Sequence, residues 1–316
     1  MSKNPQNLKF FINLSNDSYV YYYENKNTFI IFDSIENEKF LIYPKLPQSI
    51  VSYNITKKSI SHELKNAHQS RVQNLAHCFD KKKKIDLILS TSQNDNNIKI
   101  WNFQIWELIL NIQDIFNINS IFNLTKNHEN NIIVGCTELI KVFNLNGNLI
   151  STINEPHKFI DLYYDNKNNK NYILISKFGL VKSYDFEKNI QYYIYSKKDK
   201  AMHTSIVVND NEDITKLIES NNYGKIRIWN FHTGEFLKII NGKEHILYLC
   251  LWDNEFIFAG CTDYSIKLIN LKNGKIVKNL IGHKNYVLNI KKVIIPEYGE
   301  CLISLGYIND EIKIWK

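Results

Sequence analysis

Apolar residues in this chain gather in short β-branched runs separated by polar turns, without the 3.6-residue spacing of an amphipathic helix. The clearest run is IKIWNF at 98–103, which follows the polar cluster NDNN and alternates apolar and polar positions up to a tryptophan. Versions of it return as IVSYNI (50–55), IKVFNL (140–145), VKSYDF (181–186), IRIWNF (226–231), IKLINL (266–271) and IKIWK (312–316). Such runs predict strands, each ending on a bulky anchor.

The anchors are Tyr53, Trp101, Phe143, Tyr184, Trp229, Ile269 and Trp315, spaced 48, 42, 41, 45, 40 and 46 residues apart. A period near 44 matches a four-stranded propeller blade and exceeds that of ankyrin or tetratricopeptide repeats. Between anchors the same parts recur. Polar turns lead into a second apolar stretch, as in NFHTGEFLKII (230–240), and a His often stands about 14 residues after the anchor: His68, His157, His245 and His283. An inner strand, a variable loop, and a strand ending in small residues such as LILSTS (87–92) complete the unit. The fold class expected is all-β, a single seven-bladed propeller over residues 1–316.

With Gly282-His283, the small-residue strands IIVGCT (132–137) and FAGCT (258–262), and Trp-Asn where the family writes Trp-Asp, the chain resembles the WD40-repeat β-propellers along essentially its whole length. The resemblance implies that a His, a Ser or Thr, an Asp and the Trp form a hydrogen-bonded set within a blade. In blade 2 alignment assigns these roles to His68, Thr91, Asp95 and Trp101, the one complete set. Blade 6 keeps His245 and Asp263, with Ala259 and Ile269 at the other positions. Blade 5 keeps His203 and Trp229, with Tyr223 at the Asp position, and blade 7 keeps His283 and Trp315, with Asn309 and Asp310 in the turn. The set is read as structural, since buried turn donors need acceptors. The last repeat lacks its outer strand, so 8–14 or 19–23 is expected to supply it and close the ring, removing exposed edges.

Composition narrows the function. The net charge of +7 comes almost wholly from lysine, because Arg71 and Arg227 are the two arginines among 39 cationic residues. Dispersed lysine lacks the guanidinium fork that base and phosphate recognition favours, so nucleic acid is not expected as a direct ligand. Five cysteines without C-x-x-C spacing predict neither a disulfide framework nor a zinc site, no run is apolar enough to span a membrane, and the N-terminus lacks a secretory signal. An intracellular protein, cytoplasmic or nuclear, is expected, with no cofactor, no metal and no small-molecule substrate.

Two surface features stand out. Lys81 to Lys84 lie between the first and second strands of blade 2, at the end opposite the His and Asp turns, and read as a solvated tip, a contact for an acidic partner or nucleic acid, or a localisation signal. The turns joining second and third strands in blades 4 to 7 carry Phe178, Tyr223, Tyr264 and Tyr307, an aromatic arc at the channel entrance of a propeller and the candidate docking surface for proteins or peptides. A non-catalytic interaction scaffold is therefore expected. The alternatives are a substrate-recognition subunit of a ubiquitin ligase and a subunit of a nucleic-acid-associated complex of the ribosome-biogenesis or RNA-processing type. Trp101 and Trp229 are not followed by the W-D-x-R pattern of the former, and the paired arginine of phosphoinositide-binding propellers is missing.

Overall fold

The computed structural model describes residues 4–13, 28–92, 94–126, 129–157, 159–177, 179–196, 204–209, 214–307 and 311–316. Apart from a 3-10 turn at Pro5–Asn7, regular structure among them is β. Seven four-stranded antiparallel sheets are the blades of a β-propeller, as the repeat period requires.

Contacts divide the chain into two compact units. Asp17–His157 holds blade 1 (Ile30–Asp33, Lys39–Lys45, Ser49–Asn54, Ser59–Leu64), blade 2 (Val72–Asp80, Ile85–Ser92, Ile98–Asn102, Glu107–Ile112) and blade 3 (Ile118–Lys126, Glu129–Cys136, Leu139–Asn144, Leu149–Ile153). Met1–Asn16 with Lys158–Lys316 holds blade 4 (Phe159–Asp165, Lys170–Lys177, Leu180–Asp185, Ile190–Ser196), blade 5 (Thr204–Asn209, Thr215–Ser220, Lys225–Asn230, Phe236–Asn241), blade 6 (Ile246–Leu251, Phe256–Cys261, Ser265–Asn270, Ile276–Ile281) and blade 7. Blade 7 consists of Val287–Ile295, Gly299–Gly306 and Ile312–Trp315, and its fourth strand is the N-terminal Phe10–Asn13.

Of the two expected closing segments, 8–14 therefore supplies the strand, while 19–23 lies outside the described residues. Phe10 pairs with Trp315, Lys9 and Lys316 exchange backbone bonds of 2.8 and 2.9 Å, and Leu8 is buried in the cluster that holds Trp315. An apolar N-terminal segment thus covers an edge that would otherwise expose backbone donors and acceptors.

Within each unit the core lies between successive sheets, because both faces of a middle strand are covered by neighbouring blades. Leu89 and Ile100 of blade 2 meet Ile121 and Val134 of blade 3, and Leu249 and Ile257 of blade 6 meet Ile218 and Ile228 of blade 5. The second strands are accordingly almost wholly buried and the third strands largely so, whereas the fourth strands are mostly exposed or half-buried.

One register feature repeats in all seven blades. Against the fourth strand, the third strand slips by one residue at the anchor, as between Ile100 and Trp101, Val142 and Phe143, Ile228 and Trp229, and Leu268 and Ile269. Blades 1 and 4 slip at Tyr53 and Tyr184, and blade 7 at Trp315, where the extra residue stands between Phe10 and Ile12. Such a bulge leaves one fourth-strand residue unpaired and re-aims it. In blades 2 and 3 that residue is Ile109 and Ile150.

The polar residue of the I-K-I-W pattern does not simply face solvent. Arg227, Lys267 and Lys313, each two residues before an anchor, are buried, and their charges meet Glu219 at 2.7 Å, Asp263 at 2.5 Å and Glu311 at 3.0 Å. A buried cation persists where a carboxylate compensates its desolvation.

Candidate functional site

The set inferred for blade 2 forms, with one correction. His68 bonds Asp95 Oδ2 through Nδ1 at 2.8 Å, but its Nε2 meets Ser90 Oγ at 2.8 Å, and the Trp101 indole N–H donates to the same Ser90 oxygen at 2.8 Å. Thr91 is not part of this set; it accepts from Asn74 Nδ2 at 3.0 Å. Adjacent strand residues point to opposite faces, so only Ser90 shares the face of Trp101.

The same arrangement occurs in blade 7, where His283 Nε2 lies 2.6 Å from Ser304 Oγ and the Trp315 indole donates to Ser304 at 2.7 Å. Asn309 and Asp310 lie outside the described residues. In blade 5 the acceptor is Glu219, which takes the Trp229 indole N–H at 3.0 Å, and His203 lies outside the described residues. Where the anchor is Phe143, Tyr184 or Ile269, the residue equivalent to Ser90, two beyond the anchor's own partner on the second strand, is the apolar Val134, Ile175 or Ala259, and in blade 1 it is Tyr43. The polar residue follows the indole because a buried N–H without an acceptor costs about 1–3 kcal/mol.

Ser, His and Asp in sequence invite comparison with a catalytic triad. Here the hydroxyl is spent twice, donating to His68 and accepting from Trp101, and Ser90 is 0% exposed, so no substrate reaches it. Burial, reinforced by the nearby Lys99 charge, pushes the His68 imidazole down to about 4 against the pull of Asp95. Burial by itself would raise the Asp95 carboxyl, and the neighbouring Ser92, the Gln69 N–H and His68 together hold it below its ordinary value. The pair is thus a neutral imidazole donating to a carboxylate, with His68 carrying its proton on Nδ1.

Three of the four arc aromatics are among the described residues; Phe178 is not. Tyr223 is 68% and Tyr264 45% exposed, while Tyr307 is half-buried. A residue not anticipated from the repeat, Tyr286, joins them: its ring lies 5.8 Å from Tyr264 and 6.0 Å from Tyr307, stacked at 14° on the latter. The Tyr307 N–H also donates to the Tyr286 carbonyl at 2.8 Å. Blades 6 and 7 therefore present a continuous row of three rings. Repeat position does not single out Tyr286, because it precedes a first strand rather than occupying the turn compared between blades.

The arc residues are not structurally equivalent. Counting back five residues from the anchor, Tyr264 occupies the place of Asn96, Gly179 and Gly224, and all four share positive φ, at 68°, 50°, 89° and 69° respectively. Asn and Gly adopt this conformation readily, whereas a bulky side chain there costs about 1–2 kcal/mol. Tyr223 stands one residue earlier in its turn, with its N–H held by Asn221 Oδ1 at 3.0 Å.

Lys81 to Lys84 form an exposed turn between the first and second strands of blade 2, as the sequence implies. A polar group on the first strands of blades 4, 6 and 7 is not legible in the sequence: Asp161, Tyr248, Cys250 and Lys291 interact electrostatically, and burial pushes the Lys291 ammonium down to about 8. All five cysteines are buried free thiols, and burial raises Cys78 and Cys261 to about 12 and Cys136 and Cys250 to about 11. Among the described residues no cluster of three His, Cys, Asp or Glu could hold a metal ion, and no helix is long and apolar enough to cross a membrane.

No protein-family model matches the chain, and no curated protein matches it at a significant level.

Proposed function

We propose that the chain is a single WD40-type propeller domain serving as a non-catalytic scaffold, with proteins or peptides docking on the tyrosine surface of blades 5 to 7. The observation that carries this reading is Tyr264: an exposed ring on a left-handed backbone position, in a row with Tyr286 and Tyr307. A strained, bulky residue kept at a turn where other blades use Asn or Gly fits a recognition role better than a folding one. Tyrosines suit it, because they offer large contact area at small entropic cost. Five buried free thiols support a reducing compartment, cytoplasm or nucleus.

The test is affinity purification from the native cell with the intact chain and with a Tyr223→Ala, Tyr264→Ala double variant, read together with melting temperature. Melting should change little, since exposed substitutions usually stay within about 0.5 kcal/mol, while aromatic anchors at an interface centre carry about 2 kcal/mol or more each. Partners lost at unchanged melting support the reading. Full retention of partners at unchanged melting rejects the tyrosine surface, and a large melting loss shows the rings to be packing elements.

A further inference from the structure

The repeated bulge has a consequence for the cleft between blades 2 and 3. It is about 380 Å³ in volume, with Leu87, Ile100 and Leu145 toward its apolar side and Ile109 and Ile150 also lining it. These two isoleucines are the unpaired fourth-strand residues of their blades, and they are 40% and 54% exposed. Two aliphatic side chains are thus turned outward by the register slip that seats Trp101 and Phe143. Lys82 and Lys83 also line the cleft.

We propose that this cleft docks an acidic peptide segment, with an aliphatic side chain between Ile109 and Ile150 and flanking carboxylates against Lys82 and Lys83.

The charge balance favours an acid. Asp80 and Glu129 also line the cleft, but Asp80 is buried with its Oδ1 engaged by the Lys82 and Lys83 N–H groups at 2.9 and 3.1 Å. Among the described residues the ammonium groups of Lys82, Lys83 and Lys84 meet no carboxylate, so the turn presents cationic charge against the single exposed acid Glu129. The Asp80 bonds fix the lysine turn, which limits the ordering that binding would require.

The apolar lining favours a peptide over a nucleic acid. A phosphate backbone leaves Ile109 and Ile150 uncovered, and no aromatic platform for bases lines the cleft. The corresponding cleft between blades 1 and 2 differs in both respects, since its one lining lysine, Lys57, is paired with Glu38 at 2.6 Å and its apolar lining is aromatic rather than aliphatic. There the lining includes Glu36, Glu38 and Trp106, and the bulge residue is Ser61. This site belongs to blades 2 and 3 and does not depend on the tyrosine surface.

The experiment uses the full chain and fluorescence anisotropy. The probe is a fluorescein-labelled octapeptide of two leucines flanked by aspartates and glutamates. Its controls replace the carboxylates by amides or the leucines by serines, and oligothymidylate serves as competitor. Binding should weaken roughly tenfold or more with either control peptide, with Lys82→Glu plus Lys83→Glu, and with Ile150→Asp, at unchanged melting temperature. It should also fall as salt is raised. Absence of saturable binding overturns the proposal, as does binding indifferent to both variants. Displacement of the peptide by equimolar oligothymidylate would instead mark the lysine turn as a nucleic-acid contact and likewise overturn it. Should Ile150→Asp lower melting, Ile150→Ser gives the second reading, and its failure to weaken binding counts against the aliphatic contact.

Discussion

The indole N–H of Trp101 donates to the Ser90 hydroxyl at 2.8 Å, and Ser90 in turn sits 2.8 Å from His68 Nε2. The direction of this chain is determined by its ends. Indole can only donate, so Ser90 accepts from it and gives its own proton to His68, which leaves Nδ1–H for Asp95. A Ser90→Ala variant strands both the indole and the imidazole, and should lose about 2–4 kcal/mol by denaturant titration. Trp101→Phe, which imitates the combination of Phe143 and Val134 in blade 3, removes the stranded donor and leaves only the imidazole acceptor. The double variant should therefore lose less than the sum of the two single losses.

Acid should weaken blade 2 through His68. The folded pKa of about 4 lies below the ordinary 6.5, so the unfolded chain binds more protons as pH falls between these values. The stability that His68 contributes above pH 6.5 is lost toward pH 4, about 2 kcal/mol of it between pH 7 and pH 5. Melting followed across that range should show a shallower pH slope for His68→Asn than for the unchanged chain. Equal slopes would show that His68 does not titrate as described.

Blade 5 replaces the Ser and Lys of blades 2 and 7 by Glu219 and Arg227, both buried, with Arg227 Nε 2.7 Å from Glu219 Oε1. Glu219→Ser alone removes the charge that compensates the guanidinium and should cost about 3–5 kcal/mol. Adding Arg227→Lys recreates the residue pair of Ser90 with Lys99 and of Ser304 with Lys313, and should recover part of that loss. Thermal denaturation of the three proteins decides it, and no recovery would mean that Glu219 acts without regard to Arg227.

Removing residues 1–13 should expose the Ile312–Trp315 edge and the buried Trp315 together. Size-exclusion chromatography should then find oligomers or little soluble protein. The milder Leu8→Ala should lower stability by about 2–5 kcal/mol while leaving the chain monomeric. A monomeric truncation with unchanged melting would show the N-terminal strand to be dispensable.

Much of this architecture follows from local pattern. Seven anchors at a period near 44 residues imply seven four-stranded sheets, and the absent outer strand of the last repeat points to the N-terminus. These features are readable because strand formation, turn chemistry and the need to cover an edge each leave a mark within a few residues. What the tertiary structure alone decided is which side chain faces which. Ser90 and Thr91 are both small hydroxyls on one strand, and only the pairing of Ile88 with Trp101 shows that Ser90 shares the indole's face. Tyr286 joined the tyrosine row through the approach of its loop to Tyr264 and Tyr307 rather than through any repeat position. The outward aim of Ile109 and Ile150 arises from a one-residue slip between strands, and a slip in pairing leaves no trace in composition or periodicity because it is a relation between two segments, not a property of either.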